Sequence, residues 1–291
     1  MLLVILIDVA AIGGLLALAY YPGLERALPF AAFLLVLVPI ESALPMGVFS
    51  LTTHRIIVTI LTVCYCTRAP KVPGRRHTPL IRLMTVHVLW CLVSVGNSIV
   101  PMMSVKKLLS VALEYYVLYY VYYHTVSSVE TIRKILTAIL IAIVLCSVWG
   151  VGEAYSGWDL FPYFPTVSHH WGGGDVDRDV RIRSTYPHSI LYGAALAMGI
   201  TLALYCRNFM RKPVQTLWLC VGLMLLFLNI YKTSSRGPWL DVIVGCLLLL
   251  AFGTGRVRRA LSYIAVLSLA VLVIRPGVWG DHQRAGRKHA E

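Results

Sequence analysis

Apolar residues run in blocks along this chain, and short polar stretches, many of them basic, separate the blocks. About ten blocks can be marked, near 2–20, 28–46, 51–67, 80–99, 106–124, 132–152, 187–206, 214–231, 238–254 and 261–275. Most approach the roughly 20 residues that a helix needs to cross a hydrocarbon core. Helices are the economical choice, because backbone groups in lipid must bond within their own segment. The first two blocks are less regular. Asp8 lies in one, and Pro39 and Glu41 lie in the other, which predicts an imperfect or tilted hairpin. No basic n-region precedes the first block, so despite its Ala17-Leu-Ala19 pattern it reads as a retained helix, not a cleaved signal. No repeat, heptad or low-complexity tract interrupts the series. The pattern predicts an all-α membrane protein: one domain over 1–291, a polytopic helical bundle of about ten transmembrane spans with one long outer loop near 153–185.

Composition strengthens this. Hydrophobic residues make up 58% of the 291 and charged ones only 13%. A soluble core could not hide so much apolar surface behind so few charges. The 26 Lys and Arg outnumber the 13 Asp and Glu. That excess does not indicate nucleic-acid binding, since the cations fall in clusters between apolar blocks and leave no folded basic face. The clusters set an orientation instead. Arg68, Lys71, Arg75, Arg76 and Arg82 form one, Arg133 and Lys134 a second, Arg207, Arg211 and Lys212 a third, and Arg256, Arg258 and Arg259 a fourth. With the blocks above, all four alternate onto one side, which the positive-inside rule makes the cytoplasm. The seven cysteines lie in or beside apolar blocks and read as small hydrophobes.

The other side then receives the long loop, the turn near 232–237 and the tail after Arg275. Two constellations stand out there. Arg181-Ile-Arg183-Ser-Thr-Tyr-Pro187-His188 ends the loop and opens the seventh block. Its arginines face the less basic side, and two readings fit: an anion clamp, since guanidinium matches phosphate bidentately, or interfacial arginines contacting headgroups or the loop's own Asp residues. The second constellation is Tyr231-Lys232-Thr-Ser-Ser-Arg236-Gly237-Pro238-Trp239. Pro238 suits the first turn of a helix, with Ser234 or Ser235 as cap. Arg236 then sits near a helix amino terminus, where open N–H groups favour an anion but the dipole opposes a cation. Asp241, one turn on, is a candidate partner for it or for another helix.

Other features are weaker. Asp175-Val-Asp177-Arg-Asp179 resembles a calcium loop but has Val180 at the turn-glycine position and Tyr186 at the terminal glutamate position. His169-His170 beside Trp171 and three glycines reads as a lid or surface turn. Glu114, among Tyr115, Tyr116, Tyr119, Tyr120, Tyr122 and Tyr123, is either a functional intramembrane carboxylate or part of a packing and interfacial belt.

Taken in order, the two arginine constellations resemble those of the O-antigen ligase and polymerase family of bacterial envelope proteins. Arg181 to Gly193 is similar to the family's segment that opens one helix, and Thr233 to Trp239 to the segment that opens a helix two spans later. Pro39-Ile-Glu-Ser-Ala-Leu-Pro45 resembles the family's early helix hairpin. The resemblance implies a metal-independent glycosyltransferase of the bacterial inner membrane with no cofactor, acting on the periplasmic face. It implies a polyprenyl-diphosphate-linked glycan as donor and a lipid or glycan hydroxyl as acceptor, with membrane lipids around it. By position Arg183 and Arg236 hold the diphosphate as catalytic residues, and Arg181, His188 and Lys232 bind substrate. Two departures stand out. Ser189 replaces a proline common after the His. The chain also ends, in a polar tail over about 280–291, where members continue into a second outer loop carrying a histidine. The resemblance therefore implies a truncated or frame-shifted copy, a diphosphate clamp without a complete active site; with a native tail, His282 or His289 replaces that base or the protein only binds. The alternatives are a polymerase, a transporter or flippase, or a binding-only protein for lipid-linked glycan.

Overall fold

The structure is a computed structural model, and it describes residues 2–20, 23–39, 43–46, 49–68, 79–158, 182–209, 212–233, 235–253, 255, 258–259 and 261. Most of the tenth block, the tail with His282 and His289, Arg181, Asp175, Asp177, Asp179, His169, His170, Lys71, Arg75, Arg76, Arg211, Ser234 and Arg256 lie outside the described residues.

Among the described residues the chain is helical apart from one short hairpin. The helices are α1 (Leu2–Tyr20), α2 (Leu24–Leu37), α3 (Thr53–Arg68), α4 (Pro79–Val95), α5 (Pro101–Val111), α6 (Leu118–Thr125), α7 (Val129–Ser156), α8 (Ser189–Cys206), α9 (Pro213–Lys232) and α10 (Gly237–Phe252). A π-helical segment, Ala112–Val117, joins α5 to α6 with helical dihedrals on both sides, so the fifth predicted block is one rod with a bulge. Three helices, α7, α8 and α9, are long and apolar enough to cross a membrane; stretches of α1, α3, α4 and α10 are apolar but shorter. Among the described residues, then, three of the ten predicted spans have full spanning length, and they make the chain a helical membrane protein. Helix α4 makes the solvent plain. Of its residues only Ile81 is buried, while Leu83, Val86, Leu89, Trp90 and Val93 are exposed. Hydrocarbon tolerates such a surface and water does not.

The second predicted span does not exist as drawn. Helix α2 stops at Leu37 after 14 residues, about 21 Å at the helical rise. Pro39 is the reason. The residue before a proline is pushed out of the α region, and Val38 is extended at φ −83, ψ 134. The segment that resembled a helical hairpin is instead a β-hairpin, β1 (Ala43–Met46) antiparallel to β2 (Phe49–Thr52), with Ala43 opposite Thr52 and Met46 opposite Phe49.

Helix α7 begins and ends on strong local signals. Ser128 caps it, its Oγ accepting from the Thr131 N–H at 3.1 Å. Gly157 ends it in the left-handed region (φ 68), its N–H donating to the Glu153 carbonyl at 2.9 Å. The helix is therefore one turn longer than its apolar block, and residues 153–156, placed in the outer loop by hydropathy, are helical.

Helices α7 to α10 form an antiparallel bundle in which α8 is central, packing on α7, α9 and α10. Tyr192, Leu196, Ile200, Leu226 and Ile230 are fully buried between them. Helices α8 and α10 run side by side in the same direction. A Cβ added at Gly193 would overlap the Pro238 ring, and one at Gly245 would overlap Thr201. These two close approaches lie about two turns apart on each helix and fix the pair from one end towards the other. On the other side α2 packs along α7, and a second core of Leu15, Ala27, Leu28, Ile57, Leu61 and Val121 joins α1, α2, α3 and α6.

Cations collect at one end of the assembly. The Arg133 guanidinium lies 4.5 Å from the Phe209 ring centroid, which brings the start of α7 to the end of α8. Tyr65, near the end of α3, lies beside His124 at the end of α6. Glu25, in the first turn of α2, accepts from the Ser127 N–H at 3.0 Å and the Thr131 hydroxyl at 2.7 Å. The chain termini of these helices, with Arg68, Arg133, Lys134 and Arg207 at or beside them, share that end. Three of the four clusters predicted to share one side, those with Arg68, Arg133 and Arg207, thus lie at one end.

Candidate functional site

The two arginine constellations meet at the opposite end. Gly193, on the first turns of α8, sits directly on Pro238, in the first turn of α10. The first turns of α8 and α10, the helices that the Arg183 and Arg236 segments open, therefore lie side by side.

Arg183 is mounted on a turn in which its own N–H and carbonyl are both hydrogen-bonded. Its N–H donates to Glu153 Oε1 at 3.1 Å, and the next N–H, of Ser184, donates to Glu153 Oε2 at 2.7 Å. Its carbonyl accepts from the Tyr186 N–H at 2.9 Å. Ser184 has φ 53, unusual for a residue with a side chain. The Ser184 hydroxyl donates to the Cys146 carbonyl at 2.9 Å, which ties the turn to α7. Thr185 continues the attachment, its Oγ1 lying 3.5 Å from Cys146 Sγ. Burial pushes the Tyr186 phenol up, helped by the neighbouring Cys146. Tyr186 stays protonated and is a donor, not a base.

His188 takes a role the sequence did not suggest. It is the N-cap of α8, and its Nδ1 accepts from the Ile190 N–H at 3.1 Å. That bond requires an unprotonated Nδ1, so in the neutral ring the proton is on Nε2. The free side of His188 offers a hydrogen-bond donor.

Arg236 is the N-cap residue of α10, with φ −80 and ψ −33, and no side chain caps the helix. The expected serine cap is corrected: the Ser235 hydroxyl turns back to the Thr233 carbonyl at 3.3 Å. The expected pairing with Asp241 is corrected as well. Both side chains are exposed, and among the described residues no ion pair joins them. An arginine at a helix amino terminus opposes the dipole by a few tenths to about 1 kcal/mol. An anion reverses that sign, since it meets both the guanidinium and the open N–H groups of the first turn. Lys232, at the end of α9, holds its Nζ 5.8 Å from the exposed Tyr155 ring, beside the same end of α7.

Beneath these residues lies a fully bonded polar node. The Asn229 amide nitrogen donates to the Ser147 carbonyl at 3.0 Å and the Leu225 carbonyl at 2.8 Å. Its Oδ1 accepts from the Tyr192 hydroxyl at 2.9 Å, a proton shared with the Cys146 carbonyl at 3.1 Å. Gly150 makes room, since a Cβ there would overlap both Asn229 Oδ1 and Tyr192 Oη. The node joins α7, α8 and α9 below the turn. Sequence reading missed it, and missed Glu153 as well, assigning it to a loop; an Asn in an otherwise apolar block and a Gly157 stop after Glu153 were the available signals.

Glu114 has a structural partner. Its Oε1 accepts from Arg55 Nε at 2.9 Å, and Arg55 Nη2 reaches Ser110 Oγ at 2.5 Å. Among the described residues no group of three or more His, Cys, Asp or Glu could hold a metal.

Helices of spanning length and an apolar outer surface define the class: a helical membrane protein with a cation-bearing site at the end away from its basic loops. No protein-family model, curated protein or solved structure matches the chain.

Proposed function

We propose that this chain is an O-antigen ligase-like glycosyltransferase of the bacterial inner membrane, with about ten spans and its site on the periplasmic face. It transfers glycan from a polyprenyl-diphosphate carrier to a hydroxyl of a lipid or glycan acceptor. The observation that carries the reading is the meeting of the Arg183 and Arg236 segments, through Gly193 on Pro238, at the end opposite Arg133 and Phe209.

In this reaction the bond between the anomeric carbon and the diphosphate oxygen breaks, a bond to the acceptor oxygen forms, and the acceptor hydroxyl's proton passes, directly or through water, to the departing diphosphate. Negative charge grows on the departing diphosphate. Arg183 and Arg236, with the open first turn of α10, are the groups that stabilise it, and preorganised donors of this kind each contribute roughly 10²–10³ in rate. His188 Nε2–H and Lys232 add donors to the same oxygens, and Arg181 belongs to the same group by sequence. Ligation and polymerisation share this donor chemistry and differ in the acceptor.

The test uses vesicles or nanodiscs holding the protein, labelled polyprenyl-diphosphate glycan and an acceptor. Arg183→Ala and Arg236→Ala each abolish transfer while the protein still inserts. Undiminished transfer by both variants sinks the proposal.

A further inference from the structure

Glu153 is buried, with 4% of its surface exposed, in the last turn of α7. A carboxylate there faces the negative end of the helix dipole and is locally unfavourable. What compensates it is a pair of consecutive backbone amides, Arg183 and Ser184, each bonded to a different carboxylate oxygen. Adjacent N–H groups converge on one anion where the backbone alternates between right- and left-handed conformations, the arrangement of an anion-binding nest. Ser184 at φ 53 supplies that alternation. This chain therefore fills a nest with its own carboxylate, directly under the arginine that the proposed reaction needs.

We infer that Glu153 is the positioning residue for Arg183: its carboxylate holds the 183–184 backbone in the strained turn and so aims the guanidinium at the diphosphate. The inference rests on the reading of Arg183 as a diphosphate ligand. Without the carboxylate, the half-buried Arg183 N–H and the buried Ser184 N–H lose this acceptor, and Ser184 relaxes towards negative φ. The Arg183 side chain then leaves from a different direction. A functional arginine needs placement within about half an ångström. Glutamine at 153 is the sharp probe. It keeps the size, but its amide nitrogen is a donor and cannot serve the second N–H.

The experiment measures binding of farnesyl diphosphate and of farnesol to the full chain in nanodiscs. The ratio of the two affinities is the readout, because a loosened fold weakens both ligands alike whereas a misplaced Arg183 weakens only the anion. Arg183→Ala is expected to lower the ratio on the order of tenfold or more, the worth of a charge-assisted hydrogen bond. Glu153→Gln is expected to lower it by roughly half that many decades, and the double variant to match Arg183→Ala, since coupled residues are not additive. Glu153→Asp keeps the charge but draws the carboxylate back by one carbon, and it is measured in parallel, so that loss of one variant from the membrane leaves the other to decide. An unchanged ratio in the Glu153 variants, with Arg183→Ala lowered, overturns the positioning role alone. A further drop in the double variant also overturns it. An unchanged ratio in Arg183→Ala overturns the diphosphate reading itself, and the positioning role with it.

Discussion

The two halves of the molecule each bury a charge between helices, and they satisfy it differently. In the amino-terminal half, Arg55 of α3 meets Glu114 of the π-helical segment, guanidinium against carboxylate at 2.9 Å, with 27% and 16% of the side chains exposed. In the carboxy-terminal bundle, Glu153 meets the main chain of another segment. The first arrangement joins two helices and uses both charges to do it. The second fixes the conformation of a turn that carries a further charge. Charge spent on a side chain locks a scaffold; charge spent on a backbone aims whatever that backbone carries. A π-bulge is often a functional marker, yet here it turns Glu114 towards Arg55, while the cations proposed to work sit on ordinary helix ends.

The largest effect is expected where the two halves are set directly against each other. Arg236→Ala should lower glycan transfer by at least about 100-fold, with little change in thermal stability, because the exposed side chain at the start of α10 has no ion-pair partner among the described residues. Arg55→Ala should do the reverse, leaving transfer per inserted molecule within about twofold while destabilising the fold by about 1–3 kcal/mol, between the values for exposed and buried pairs. Transfer assays and thermal melts on the same nanodisc samples check both. If Arg55→Ala abolishes transfer in well-folded protein, the division between the halves is wrong.

Next in size is the support beneath the turn. Gly150→Ala places a methyl group into Asn229 Oδ1 and Tyr192 Oη, and overpacking of this kind costs about 1–3 kcal/mol. Asn229→Leu should lose a similar amount, because it removes one acceptor of the buried Tyr192 hydroxyl and strips the Ser147 carbonyl of a donor. Melting in mild detergent reads out both, and wild-type stability in either variant would mean that the node does not hold α7, α8 and α9 together.

A test of the amino-terminal pair sharpens the comparison further. Glu114→Gln alone should destabilise by about 1–2 kcal/mol, since it removes the carboxylate to which the half-buried Arg55 donates. Replacing both residues by methionine should recover much of that loss, as apolar groups of similar volume often equal a buried ion pair. Additive losses in the double variant would show that the two residues act separately.

What the sequence disclosed follows the same division. Helices α8 and α9 and the start of α10 were legible to within a residue or two, because apolar blocks there end on Pro213, Pro238 and the polar run before Ser189. The α2 span was misjudged because hydropathy averages over Pro39, whereas the backbone before a proline cannot. The partition of cations between the two ends was legible, since charge placement is a property of sequence order. Glu153 was visible only as an acidic residue near a loop. Its partners are two N–H groups 30 and 31 residues away, and backbone donors leave no mark in a sequence. Nor could the role of His188 as a cap be separated from a ligand role by spacing alone.

The smallest effect concerns Lys232, and it separates a placed cation from a merely nearby one. Its Nζ stands 5.8 Å from the Tyr155 centroid, a cation–π contact worth about 0.5–1 kcal/mol at an exposed site. Ammonium is a hydrated point charge without the fork that binds phosphate bidentately. Lys232→Gln should therefore weaken binding of farnesyl diphosphate only severalfold at low salt, and the deficit should shrink as ionic strength approaches 1 M, where the screening length is about 3 Å. The Arg236→Ala deficit should survive that salt, because it includes lost hydrogen bonds at the start of α10. Tyr155→Leu should leave Lys232 active but less fixed, with an effect smaller still. Equal, salt-resistant losses in Lys232→Gln and Arg236→Ala would place Lys232 in direct contact with the anion and make the end of α9, as much as the start of α10, part of the clamp.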